Sequence, residues 1–208
     1  MAVKKIVSAA LLGSIVMFIW GGFSHMVLFV GAGFKHLQDE DKLIELLKNN
    51  KDEQGLYFFP GKDFRHSTKE EDAVWENKFR NGPAGLLVFR AVGGNPFSAG
   101  KLGTQFLSNL LSVLMAVFIA ASVYAGFWRR VLIVTVLGVV ACSAVSTIYW
   151  NWYGFPTSFF IAQVLDMTIG FFLSGLVICK IVKPRSSLGP VFIDADHKEP
   201  GSRNEERK

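Results

Sequence analysis

Hydrophobic residues in this chain fall into four long blocks that are separated by polar segments. Each block is close to the roughly 20 residues that a helix needs to cross a bilayer. The pattern therefore predicts an all-α membrane protein with four transmembrane helices. The four blocks are Ile6–Val30, Gly103–Phe127, Val131–Trp150 and Ser158–Val182.

The blocks and the segments between them predict four parts of the chain. A first transmembrane helix takes 1–33 and a cap loop takes 34–102. Transmembrane helices two to four take 103–182, and a tail takes 183–208. The tail mixes charged residues with Pro, Gly and Ser and has few apolar residues, a composition typical of disorder.

The start of the chain needs comparison with a secretory signal peptide. Lys4 and Lys5 precede an apolar stretch, and 30–32 (Val-Gly-Ala) is similar to a weak cleavage site. However, the apolar block is about 25 residues long, whereas the apolar core of a signal peptide has about 7–15. The sequence therefore favours an uncleaved transmembrane helix over a cleaved signal.

The cap loop has the pattern of a small α+β domain rather than of an unstructured linker. Its apolar periodicity and its turn residues predict helices over 40–49 and 67–80 and strands over 55–61 and 86–89. Ser67 and Glu70 have the spacing of a capping box, which indicates where the second of these helices begins.

Basic residues near the ends of the blocks predict the orientation. Two lysines precede the first block, and Arg129 and Arg130 lie in the predicted turn between the second and third blocks. Lys180 lies at the end of the fourth block, and Lys183 follows that block. All of these fall on one side, which the positive-inside rule makes cytoplasmic. We therefore expect both termini inside a bacterial inner membrane and the cap loop outside it.

The net charge of +5 needs no nucleic-acid partner. The cap loop carries equal numbers of basic and acidic residues, so the excess positive charge comes from the cytoplasmic ends. We expect the bilayer itself to be the main partner, with assembly into a homo-oligomer or a larger membrane complex as a further possibility.

Enzymatic motifs are not found in the sequence. Neither His-Glu-x-x-His nor Gly-x-Ser-x-Gly occurs. The two cysteines, Cys142 and Cys179, lie in predicted spans, which excludes a disulfide scaffold on the outer side. The sequence therefore favours a protein that is not an enzyme and predicts no cofactor, no metal site and no catalytic residue.

A carboxylate inside the fourth block is the main chemical feature of the chain. An acidic side chain at membrane depth costs about 2.5–3.5 kcal/mol or more, so it usually faces protein and has a partner. Asp166 shares a four-residue spacing with small residues, and so does His25 in the first block. With Asn109 and Gln163 at similar depth, these residues form a candidate intramembrane polar site.

This polar site has three interpretations that the residues leave open. Asp166 and His25 can join two helices structurally, they can bind a proton, an ion or a ligand, or they can contact another subunit. An enzymatic interpretation would place a lipid-like substrate between His25 as a base and Asp166 as its orienting group. No nucleophile accompanies them, so this interpretation is the weakest.

Three segments of the chain resemble a group of small bacterial four-span membrane proteins that have no assigned activity. The segments are Gly-Leu-Tyr-Phe-Phe-Pro-Gly (55–61), Gly-Pro-Ala-Gly-Leu-Leu-Val-Phe (82–89) and Tyr-Trp-Asn-Trp-Tyr-Gly-Phe-Pro-Thr (149–157). The resemblance covers 1–183 and implies the four-span topology and an inner-membrane location. It implies no reaction and no cofactor.

The sequence thus favours a non-enzymatic membrane protein, an interaction or accessory subunit in which Asp166 and His25 organise the bundle. The alternative is a small module that binds or transports an ion or solute through the same two residues. In that case the cap loop would control access from outside.

The predicted orientation can be tested with reporter fusions. A reporter that is active only outside the membrane should be active when it is fused at residue 75 and inactive when it is fused at residue 190, because the positive-inside rule places these positions on opposite sides. The reverse pattern would place the cap loop in the cytoplasm and contradict the prediction.

Overall fold

The computed structural model describes residues 3–28, 34–49 and 53–184. The predicted cleavage position at 30–32 and the predicted disordered tail from residue 185 onwards lie outside these ranges. The described chain contains six α-helices and two β-strands: α1 Val3–Met26, α2 Glu40–Asn49, β1 Gly55–Phe59, α3 Lys69–Asn81, β2 Gly85–Phe89, α4 Ala99–Ser122, α5 Phe127–Tyr153 and α6 Thr157–Ile181.

Four of the helices confirm the predicted membrane spans. They are α1, α4, α5 and α6, which are long and apolar enough to cross a bilayer. Their ends differ from the predicted blocks by only a few residues, and α5 begins earlier than expected, at Phe127. Arg129 and Arg130 therefore lie in the first turn of α5 and not in the turn before it, which corrects the sequence prediction.

The tight connection between α5 and α6 is formed by three residues. Gly154 has φ 71°, a left-handed conformation that glycine adopts without steric cost, and its N–H donates to the Tyr149 carbonyl. Phe155 also donates its N–H to the same carbonyl. Pro156 then precedes α6, so the two helices form an antiparallel hairpin.

The four long helices form an antiparallel bundle in which α6 has two close neighbours. The most extensive contacts join α5 to α6, α1 to α6 and α1 to α4, whereas α4 touches α5 and α6 much less. The order around the bundle is therefore α4, α1, α6, α5. Small and β-branched residues fill its interior, among them Val113, Val117, Val134 and Ile178.

Glycines allow the close approach of these helices. A methyl group on Gly138 of α5 would lie 2.7 Å from the Met167 carbonyl oxygen of α6 and 2.8 Å from the Phe171 ring. A methyl group on Gly13 of α1 would lie 2.8 Å from Val113 of α4. All three distances are shorter than normal van der Waals contacts of a carbon atom, so these helix pairs depend on the missing side chains.

The cap loop contains the two predicted strands, which pair with each other. β1 and β2 are antiparallel, with Leu56 opposite Val88 and Phe58 opposite Leu86. α3 lies between them in sequence, and its capping box is formed by Thr68 and Glu71. The capping box predicted at Ser67 and Glu70 was therefore wrong by one residue. We call β1, α3 and β2 together the loop unit.

Aromatic rings connect the loop unit to the α5–α6 hairpin. Trp75 stacks on Phe79, Phe79 stacks on Phe58, and Phe58 contacts Tyr153 at the end of α5 edge to face. The Trp75 indole N–H also donates to the Pro60 carbonyl at 2.9 Å. The loop unit therefore touches the bundle at the tip of the hairpin.

An ion pair holds the beginning of α3 in the loop unit. Lys62 Nζ lies 2.9 Å from Asp72 Oδ1 and 4.9 Å from the centre of the Trp75 ring. The hydrogen bond from Lys62, and a second one from Ser67, hold the pKa of the Asp72 carboxyl below its usual value.

Close packing at Gly138 can be tested by adding one methyl group. We expect Gly138→Ala to lower the free energy of unfolding by about 1–3 kcal/mol, because the new carbon forces α5 away from α6. Gly22→Ala in α1 is the control, since outside the α1 backbone no atom of the described residues lies within 4 Å of its methyl position. Thermal unfolding in detergent measures both variants, and equal unfolding temperatures would contradict the packing described.

Candidate functional site

The site centres on the carboxylate of α6 and the imidazole of α1. His25 Nε2 lies 3.4 Å from Asp166 Oδ2. The Asp166 side chain is 10% exposed and the His25 side chain 50% exposed, so the pair connects the interior of the bundle to its surface. The pair carries both charges only when the imidazole is protonated.

The two residues occupy different positions along their helices. Asp166 lies nine residues after the start of α6, or about 13 Å along the axis, whereas His25 lies one residue before the end of α1. Because α1 and α6 are antiparallel, the first two turns of α6 extend beyond α1. The Asp166–His25 pair therefore lies where α1 ends and the α5–α6 hairpin continues.

Two hydrogen bonds from buried or half-buried side chains join the same two helices. The Trp20 indole N–H of α1 donates to the Asp166 carbonyl at 3.0 Å. The Ser174 hydroxyl of α6 donates to the Gly13 carbonyl of α1 at 3.0 Å. Together with the Asp166–His25 pair, these bonds hold α1 to α6 over about 12 residues of α1.

One oxygen of the carboxylate is not used by these contacts. Asp166 Oδ1 is buried, and no hydrogen-bond donor among the described residues reaches it. A buried acceptor without a donor costs about 1–3 kcal/mol, more when it is charged. The carboxyl group can lower this cost by binding a proton, a cation or a water molecule.

The structure does not bring the other two predicted site residues to Asp166. Asn109 is buried in α4, where its side-chain oxygen accepts a hydrogen bond from Gln105 at 3.1 Å. Gln163 is half-buried, one turn before Asp166 on the same helix. No hydrogen bond connects either residue to Asp166 in the described part of the chain, so Asp166 and His25 form the contacting pair.

A buried arginine lies at the opposite end of the bundle, and the sequence pattern did not predict its burial. Arg130 is 3% exposed. Its Nη1 donates to the Val182 carbonyl at 2.7 Å and lies 3.5 Å from the Ala120 carbonyl, and its Nη2 donates to the Cys179 carbonyl at 3.0 Å. One guanidinium thus caps the last turns of both α4 and α6.

The contacts of Arg130 supply a positively charged donor to carbonyl groups at these helix ends. The last carbonyls of a helix have no partner within the helix, and the partial negative charge there attracts a cation. Arg129, the neighbouring residue, is exposed. The two arginines therefore have different roles although they are adjacent in the sequence.

Asp166 and His25 bring one carboxylate and one imidazole into contact. Within residues 3–28, 34–49 and 53–184, no cluster of three or more His, Cys, Asp or Glu side chains could hold a metal ion. A carboxylate and an imidazole in contact can exchange or share a proton. We find no nucleophile beside them in this part of the molecule.

The fold and this site define a multi-pass membrane protein with a polar contact inside a four-helix bundle. Comparisons with protein-family models, with curated proteins and with solved structures find no match to this chain.

The role of Arg130 can be tested against its neighbour. We expect Arg130→Ala to lower the free energy of unfolding by about 2 kcal/mol or more, because carbonyls of two helices lose a charged donor. We expect Arg129→Ala to change it by less than about 0.5 kcal/mol, as for most exposed positions. Unfolding in mixed detergents measures both, and similar losses would show that burial of Arg130 does not stabilise the bundle.

Proposed function

We propose that this protein is a non-enzymatic interaction or accessory subunit of the membrane, in which the Asp166–His25 pair organises the bundle. One observation carries the proposal: the polar side chains that cross between helices are used to join those helices. Asp166, Trp20 and Ser174 connect α1 to α6, and Arg130 connects α5 to α4 and α6.

The packing of the interior supports the same function. Helix neighbours meet at glycines, and apolar side chains such as Val113 and Ile178 fill the space between α1, α4 and α6. A bundle packed in this way keeps a fixed shape, which suits a protein that presents surfaces to partners.

The location that we propose follows from charge and composition. The basic ends of the spans favour a cytoplasmic position for both termini, and the loop unit then lies outside a bacterial inner membrane. The resemblance to small four-span bacterial proteins agrees with this location. Assembly with a second copy or with another membrane protein is part of the proposal.

A second candidate function is favoured by the unused oxygen of the carboxylate. Asp166 Oδ1 is buried without a donor among the described residues, and the half-exposed His25 touches the other oxygen. In this alternative, Asp166 binds a proton or a small cation that enters past His25. The protein would then be a small ion-binding or transport module.

The two functions can be separated with Asp166→Asn, which keeps the size of the side chain and removes its charge. The purified wild-type protein and the variant are placed in lipid vesicles, and the flux of protons and Na⁺ is followed with dyes inside the vesicles. Native mass spectrometry of the gently extracted protein then records which chains stay bound.

We expect a partner chain in stoichiometric amount with the wild type and no flux above that of empty vesicles. The variant should retain the partner but unfold at a lower temperature, because α1 loses an attraction to α6. A bare monomer that conducts ions, with conduction lost in Asp166→Asn and kept in the exposed control His66→Gln, would contradict the accessory role and support the second candidate.

A further inference from the structure

One face of the β1–β2 sheet is apolar, and the end of this face that Leu56 and Val88 form is uncovered. Directly opposed residues of antiparallel strands point to the same side, so Leu56, Phe58, Leu86 and Val88 share this face. Leu56 is 67% exposed and Val88 is 74% exposed. Tyr57 and Phe89 lie on the other face, where their rings contact each other and Phe89 is buried.

This uncovered face forms one wall of a groove whose other wall is the α5–α6 hairpin. The groove has a volume of about 910 Å³, within the range of roughly 300–1,000 Å³ that is usual for ligand sites. On the hairpin side it is lined by Val145, Ile148 and Tyr149 of α5 and by Phe159 of α6. Among the described residues, no charged side chain contributes to its lining.

The groove begins within the part of α5 that crosses the bilayer. A hydrocarbon core of about 30 Å corresponds to about 20 helical residues, which, counted from Arg130, extend to about Trp150. Val145 and Ile148 are exposed and lie inside this range, so their surroundings in a membrane are lipid chains. Tyr149 and Tyr153 lie at its border, where such residues are enriched.

We propose that this groove binds an acyl chain of a bilayer lipid, with the β1–β2 sheet covering the chain at the membrane border. Val145 and Ile148 belong both to the exposed surface of α5 and to the wall of the groove, so a lipid chain can enter the groove sideways. Exposed Leu56 and Val88 would otherwise meet water, at a cost of about 25 cal/mol for each Å² of apolar surface. This site is independent of Asp166 and His25.

The site can be tested with photoreactive lipids. The purified full-length protein is placed in vesicles of phosphatidylethanolamine and phosphatidylglycerol that contain a phosphatidylethanolamine with a diazirine in its acyl chain. We expect the probe to label residues 86–88 in β2. A loop unit that lies outside the hydrocarbon and binds no acyl chain would not be labelled. A probe with the diazirine on its headgroup should label these residues much less.

Two variants connect the labelling to the groove. Ile148→Trp places a large side chain inside it and should reduce the acyl labelling of β2 about tenfold, a change equivalent to about 1.4 kcal/mol of binding free energy. Val140→Trp is the control, because Val140 is exposed on α5 but does not line the groove. If each variant has the elution volume and the unfolding temperature of the wild type, a folding defect is excluded as the cause of reduced labelling.

Three results would overturn the proposal. The acyl probe could label α5 and α6 but not β2, Ile148→Trp could leave the labelling of β2 unchanged, or Ile148→Trp and Val140→Trp could both abolish it. The last result would show that the effect of Ile148→Trp is not specific to the groove.

Discussion

The close contact of α6 with both α1 and α5 is the constraint on which the rest of the bundle depends. Lipid chains are as apolar as the helices, so burial of apolar surface does little to hold the helices together within the bilayer. Attraction must come from atoms that approach closely and from polar groups that meet. Gly138 provides the first on the α5 side, and Ser174 and Asp166 provide the second on the α1 side.

The two ends of the bundle are fixed by different means. At the basic end, the guanidinium of Arg130 binds carbonyls at the ends of α4 and α6. At the loop end, an edge-to-face contact joins Phe58 of the sheet to Tyr153 of the hairpin. Charge is thus used where helix dipoles converge, and aromatic contact is used where the loop unit meets the hairpin.

Much of the fold could be predicted because the signals are local. Runs of about 20 apolar residues indicated α1, α4, α5 and α6, and short apolar and aromatic runs bounded by turn residues indicated both strands. The burial of Asp166 followed from its four-residue spacing with small residues along α6. What the sequence could not supply is the register between helices, because that depends on contacts between distant residues.

The misassigned residues illustrate this limit. Arg130 was assigned to a turn because apolar residues resume at Val131, whereas α5 begins at Phe127 and carries the arginine into the interior. Asn109 was grouped with Asp166 by depth alone, yet it lies on α4 and binds Gln105 on its own helix. A basic residue next to the ends of two other predicted helices is the signal that could have identified Arg130.

The offset between α1 and α6 has a consequence for the membrane around the protein. The first nine residues of α6 lie beyond the level at which α1 ends, about 13 Å along the axis. Among the described helices, this part of α6 has α5 beside it but not α1. We expect lipid chains at this level to contact α6 directly, whereas lipid chains nearer the basic end contact α1 on the same side of the bundle.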